Sequence, residues 1–427
     1  MKTPNFTKLL ILLISINGVT YAQNSKGKKE EKDSATVIVL GQDNDPSVKS
    51  KAIKSFEENV RAGLQSDGIP RFLITDSKAN AIFAIGGFVQ FRTGYDFGGV
   101  IDHLDFIPYS IAVEPLDGND RRFLMDASTS RLYFKTLIQT KKGVLEGYLS
   151  TDFRGANKTL RLREAYISYM GATFGQTFST FCDLKASFST IDFEGPNGFA
   201  LTRNLLIRYE HSWKNGIKIA ASLEYPSVLI THGDLNHDIF QRIPDIPAYI
   251  NYAWKDGHVR LSGIVRNLFY YNNTIAEVDR AIGWGIKLSS TFKIGSKVQL
   301  FGEGTIGRGL AAYISDLSTS KFDLINDVNK LGEMIAPKTF AWFAGIQYNI
   351  LPQMPFTFGY SHAGITNEEE NLSGKDYRCG DFYVSNLFYR FSPYWYTGIE
   401  YLHGSRTNQD NQSGYANRIQ AVIQFNF

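Results

Sequence analysis

Residues 280–292 read RAIGWGIKLSSTF, an alternation of apolar and small or polar residues. Ile282, Trp284, Ile286, Leu288 and Phe292 fall on one face of an extended chain, and Gly283, Gly285, Lys287 and Ser289 on the other. A period of two is the signature of a strand with two unlike environments. The C-terminal stretch repeats it. Ile419, Ala421, Ile423, Phe425 and Phe427 share one face, opposite Arg418, Gln420, Gln424 and Asn426.

The same reading runs through most of the chain. It predicts strands at 82–97, 128–140, 144–153, 158–169, 172–180, 203–213, 217–226, 247–255, 258–271, 280–293, 298–308, 338–350, 355–362, 377–391, 394–403 and 415–427. Many approach the roughly 9–11 residues that a tilted strand needs to cross a bilayer. Every second connection is a tight turn: Lys141-Lys142-Gly143, Met170-Gly171, Lys214-Asn215-Gly216, Lys255-Asp256-Gly257, Gly295-Ser296-Lys297, 351–354 and Ser392-Pro393. Asn-Gly and Asp-Gly suit the positive φ of short hairpins. The connections between them are mostly long, notably 98–127, 181–202, 226–246, 309–337 and 363–376. Such asymmetry implies an all-β fold, a transmembrane antiparallel barrel of about sixteen strands with short periplasmic turns and long extracellular loops. Closure is required, because lipid offers no partner to a free strand edge.

Bulk composition agrees. Aromatic residues make up 14% of the chain and glycine contributes 38 positions, yet mean hydropathy is only −0.20. After the N-terminal segment no long apolar run remains, which excludes helical spans. Residues 1–22 have the layout of a signal peptide: Lys2 and Lys8, an apolar core from Leu9 to Ile16, and Thr20-Tyr21-Ala22 as the cleavage site. Their removal takes away two lysines, so the net charge falls from +3 to +1. Nothing here forms the concentrated basic face that a nucleic-acid partner requires. The expected location is the outer membrane of a Gram-negative cell.

Residues 23–46 are expected to form a disordered leader, most clearly in QNSKGKKEEKDSA at 23–35. Residues 47–65 place Val48, Ala52, Phe56 and Val60 on one stripe of a periplasmic amphipathic helix. Two readings stand: a marginal helix with no partner, or an oligomerisation segment. The barrel is expected over 81–427.

A sixteen-stranded barrel is wide enough for water, so inward side chains set what passes. Parity turns Arg131, Lys135, Arg161, Arg163, Arg208, Arg260 and Arg266 inward, with Glu146, Asp152 and Glu210 among them. Either these charges pair across strands, or Arg131, Arg161, Arg163 and Arg208 form a basic wall for anions. The connection 181–202 is expected to fold into the lumen, by analogy with porins, setting Asp192 and Glu194 against that wall; the alternative is an exposed loop. Cys182 and Cys379 could pin it by a disulfide. His232, His237, Asp234 and Asp238 share a loop, but their spacing fits no standard metal site. No metal, cofactor or catalytic residue is expected. The rival readings are a barrel lipase or protease, a non-selective porin and a structural barrel.

Several motifs between 126 and 213 resemble the DcaP-like trimeric porins: Thr129-Ser130-Arg131-Leu132, Gly147-Tyr148, Asp152-Phe153, Leu160 to Tyr166 (LRLREAY), Gly175 to Phe181 (GQTFSTF), Asp192 to Pro196 (DFEGP), and Arg203 followed by Ile207-Arg208-Tyr209. The resemblance implies a homotrimeric sixteen-stranded channel favouring small organic anions such as dicarboxylates. It also implies that Arg203 joins Arg131, Arg161, Arg163 and Arg208 in the basic lining. That family typically carries a longer N-terminal coiled coil than 47–64 can supply.

Overall fold

The computed structural model describes residues 36–40, 46–60, 70, 72–101, 103–114, 120–231, 234–368 and 371–427. The signal segment 1–22, leader residues 23–35 and 41–45, residues 61–65 of the expected helix, and His232 lie outside them.

Sixteen antiparallel strands close into a barrel. They are β3 (Ala81–Phe97), β5 (Arg131–Thr140), β6 (Gly143–Asp152), β7 (Arg161–Tyr169), β8 (Ala172–Phe178), β9 (Arg203–Ser212), β10 (Ile217–Glu224), β12 (Ile246–Trp254), β13 (Gly257–Asn272), β14 (Glu277–Ile294), β15 (Val298–Arg308), β18 (Lys338–Leu351), β19 (Met354–Thr366), β20 (Tyr377–Arg390), β21 (Trp395–Asn408) and β22 (Ser413–Asn426). Each corresponds to one strand read from the sequence. Closure is the β22–β3 ladder, Asn417↔Phe97 through Asn426↔Phe88, which Phe427 extends by exchanging backbone hydrogen bonds with Gly87. Short β4 (Arg121–Asp126), β11 (Asn236–Asp238), β16 (Ile325–Asn326) and β17 (Met334–Ile335) lie in the long connections.

The side chains are distributed inside-out. On β14 Ile282, Trp284, Ile286 and Leu288 are exposed, whereas Lys287 and Ser289 are fully covered. Exposed apolar rows and covered polar ones suit a wall between lipid and water. At the β9–β10 turn Gly216 has φ +89, and a Cβ there would stand 2.1 Å from the Ala253 carbonyl oxygen. Only glycine fits that Asn-Gly turn.

The connections left between strands at 272–279 and 404–414 shorten to the tight turns 273–276 and 409–412, because β13/β14 and β21/β22 run on past the apolar stretch. A hairpin ladder satisfies its own backbone in water, so polar sequence does not end it.

Two further departures concern the N-terminus. Residues 36–40, read with the leader, form β1 (Thr36–Leu40), which runs parallel to β2 (Phe72–Asp76); β2 in turn pairs with β3. The run VIVL is too short to announce a strand until β2 supplies its ladder. Between them α1 (Pro46–Glu58) buries Ala52 and Phe56 against Leu73 of β2 and Tyr133, Leu137 and Tyr148 of the barrel's inner wall. Val48 and Val60 pack at its edge. The stripe's partner is therefore the chain's own wall.

The apolar clusters inside the barrel come from loops. Residues 310–317 pack with Ile264, Ala341, Ala363 and Ile365. Phe106, Ile111, Phe188 and Phe199 pack with Phe343, Phe382 and Leu402.

Candidate functional site

The site is built on a hydrogen-bonded register. Asp152 stands opposite Arg131 on β5 and Arg161 on β7. Its carboxylate accepts Arg161 Nε at 3.0 Å and Nη2 at 2.7 Å, and Arg163 Nη1 at 2.7 Å. A bulge where the β6–β7 register slips between Ser150 and Thr151 leaves Arg163 and Glu164 both buried. A bulge re-aims one side chain, and it turns Ile167 outward.

The loop 179–202 enters the lumen and follows the far wall. Asp183 accepts from Ser289 Oγ at 2.7 Å and lies 2.8 Å from His258 Nε2. Ile191 and Asp192 N–H groups donate to Glu400, Gly198 N–H to Ser361 Oγ, and Ala200 N–H to Glu303. Phe188 seats on Gly345 and Gly359, which are paired across β18 and β19. The loop thereby delivers Phe193 to three arginines, with guanidinium carbons of Arg154, Arg163 and Arg161 at 4.3, 5.1 and 5.6 Å from its ring centroid. Such cation–π contacts tie the loop's tip to the arginines. Arg203 stacks at 4.3 Å on Phe178, Arg131 at 5.3 Å on Phe88, and Arg208 donates to the Phe178 carbonyl at 3.3 Å.

Burial, with Asp105 and Asp192 nearby, pushes the Glu194 carboxyl up to about 8, against the pull of Arg154 and Arg203. Asp192 is raised as well, by burial and by Asp105. Near neutral pH Glu194 is thus mainly protonated, and the loop tip offers little negative charge to the arginines around it.

Four expectations are corrected. Arg266 is inward but sealed: Nε lies 3.0 Å from Asp245 Oδ2 and Nη1 2.9 Å from Asp323 Oδ1, under the loop 309–337. Asp192 does not face the wall; it accepts from Phe106 N–H at 2.9 Å and sits 3.7 Å from buried Arg92. Lys135 and Glu146 pair at 3.1 Å beneath α1, and Tyr166 also donates to Glu146. Arg260 donates to the Cys182 carbonyl and stacks at 4.1 Å on Tyr249. At Arg266, Lys135 and Arg260 a distant loop or helix covers an inward strand position, and Asp192 is taken by the first long loop; parity sees neither.

Arg154 and Phe193 are site residues that the parity reading missed, since both lie outside strands. Arg154 also pairs with Asp105 of the first long loop. The DFEGP motif was the available signal for Phe193. Cys182 and Cys379 are both free thiols, and Cys182 Sγ accepts from Thr202 N–H at 3.3 Å. Where serine, aspartate and histidine meet, at Ser289–Asp183–His258 and Ser405–Asp381–His362, the carboxylate is the shared partner. Neither arrangement hands a serine to an imidazole as a hydrolase requires.

The structure is similar to the crystal structure of the outer membrane channel DcaP of Acinetobacter baumannii, with a TM-score of 0.73 and 22% identity, covering 82% of this chain and 99% of that one. It shares its fold with an anion-selective porin from Comamonas acidovorans, at a TM-score of 0.56 and 12% identity, covering 81% and 100% of the two chains. A trimer form of OmpT of Vibrio cholerae gives 0.52 and 12%, covering 81% and 99%. No curated protein sequence matches. The sequence profile described as DcaP outer membrane protein matches residues 74–302. With more than half of its length covered by that match, the chain belongs to the DcaP outer membrane protein family.

Proposed function

We propose that this outer-membrane barrel is a porin that passes small hydrophilic solutes and favours small organic anions of dicarboxylate type, working as a homotrimer. One observation carries the reading: Arg154, Arg161 and Arg163 converge on Phe193 at the tip of the lumenal loop. Arginine keeps its charge at any working pH and offers a carboxylate a planar fork of donors. A second carboxylate on the same solute would find Arg203 or Arg131 close by. Structures with this fold include one described as anion-selective and one described as a trimer form.

The reversal potential across a KCl gradient in planar bilayers tests it. Wild type is expected to be anion-selective, and the double variant Arg161→Ala/Arg163→Ala to lose most of that preference. Equal, unselective currents from both proteins would leave a general porin. No current at all would sink the channel reading.

Glu194 adds a pH dependence. Its carboxyl is protonated below about pH 8 and ionises above it, so one negative charge beyond those of Asp152 and Asp105 enters the arginine cluster in alkali. Anion preference is therefore expected to fall between about pH 6.5 and 9.5, as a carboxylate beside the arginines comes to oppose them. Glu194→Gln should flatten that fall; a profile unchanged by the substitution assigns the titration elsewhere.

A further inference from the structure

The unit formed by β1, α1 and β2 lies almost wholly before residue 74, where the family match begins. Its β2 continues the wall along the edge of β3 beyond the end of β22, while α1 lies on the lumen side. Tyr133, Leu137 and Gln139 face inward on β5, just before the tight turn at Lys141-Lys142, and α1 rests on them. A helix is about 10–12 Å across with its side chains, so one lying inside a mouth takes a substantial share of the opening.

The docking joins an apolar stripe to a few polar holds. Lys135 Nζ donates to the Asn59 carbonyl oxygen at 2.6 Å, just past the end of α1, where a cation suits the helix dipole. The same ammonium lies 5.4 Å from the Phe56 ring and 3.1 Å from Glu146. Gln139 Nε2 donates to Ser55 Oγ at 2.7 Å. Beneath the helix Tyr133, Tyr148 and Tyr166 stack across three strands, with centroids 6.0 and 5.2 Å apart. These polar holds add to the apolar burial of Ala52 and Phe56 on the same patch of wall.

We propose that α1 is a plug of the periplasmic mouth. Docked, it narrows the exit and masks Lys135; released, it widens the exit and returns Lys135 and the tyrosine row to the lining. The proposal rests on the channel reading but not on the anion preference.

The test is single-channel conductance of the full-length chain. Phe56→Asp puts a charge where the ring is buried and should release α1, raising conductance roughly twofold, since current follows the open cross-section. Unchanged conductance from a Phe56→Asp barrel that still resists SDS unless heated would overturn the plug. If that variant does not assemble, Ser55→Cys/Gln139→Cys decides: its oxidised form should carry less current than its reduced form, and equal currents overturn the proposal. A wild type that conducts nothing fails the channel reading instead, which keeps the two failures apart.

Discussion

Asp152→Ala is expected to destabilise the barrel by roughly 3–5 kcal/mol, the usual consequence of removing one partner from a buried ion pair. The Asp152 side chain is fully buried and accepts three hydrogen bonds from two guanidinium groups. Arg163 is only 1% exposed, and its other close charges include Arg131 and Arg203, which repel it. Without the carboxylate that cluster must take in water or move. Arg161 is 38% exposed and can turn to solvent, so Arg163 bears most of the cost. Urea titration of the refolded barrel in detergent micelles, followed by tryptophan fluorescence, would measure the loss. Asp152→Asn keeps an acceptor and should cost less than Asp152→Ala. A loss below about 1 kcal/mol for alanine would mean that Arg163 is already solvated and that Asp152 does not order the wall. Where the alanine variant still folds, one negative charge has left the cluster, so its anion preference should rise while its stability falls.

The second large effect concerns the seat of the lumenal loop. Built Cβ atoms at Gly345 and Gly359 stand 2.2 and 2.3 Å from ring carbons of Phe188, too close for any side chain. Gly359→Leu should force the ring off the wall. The strand behind it is held on both sides in a closed barrel, so the loop must give way toward the lumen. Single-channel conductance is expected to fall, roughly by half, because a displaced loop occupies the open section. Overpacking of this kind also costs about 1–3 kcal/mol. Phe188→Ala in the Gly359→Leu background removes the clash and should restore much of the current. A Gly359→Leu channel with wild-type conductance would show that the loop does not border the path.

The wall was legible in the sequence to different depths. Period-two alternation located all sixteen strands and told lipid face from lumen face, because in a membrane each position has only those two environments. Glycine-bearing turns set the short side. Arg131, Arg161, Arg163 and Arg208 could be turned inward by parity alone, and the LRLREAY motif marked the same strand by resemblance. Parity then failed at the bulge, where one extra residue in β7 changes the face of all that follow. It also treated every inward charge alike.

Those limits share one cause. Alternation is local, and it determines on which side of its own strand a residue lies. Whether that side meets water depends on segments far away in the chain: the loop 309–337 over Arg266, α1 over Lys135, Phe106 N–H against Asp192. Loops carry no period, since their backbone groups are satisfied by turns, side chains and the wall in no repeating order. Phe188 finds its seat on glycines more than 150 residues later, and nothing near Phe188 announces it. The sequence by itself determined a closed barrel, its strands and its faces. Only the tertiary structure decided which of the inward charges line the path, because burial inside the barrel is made by long-range packing of its loops.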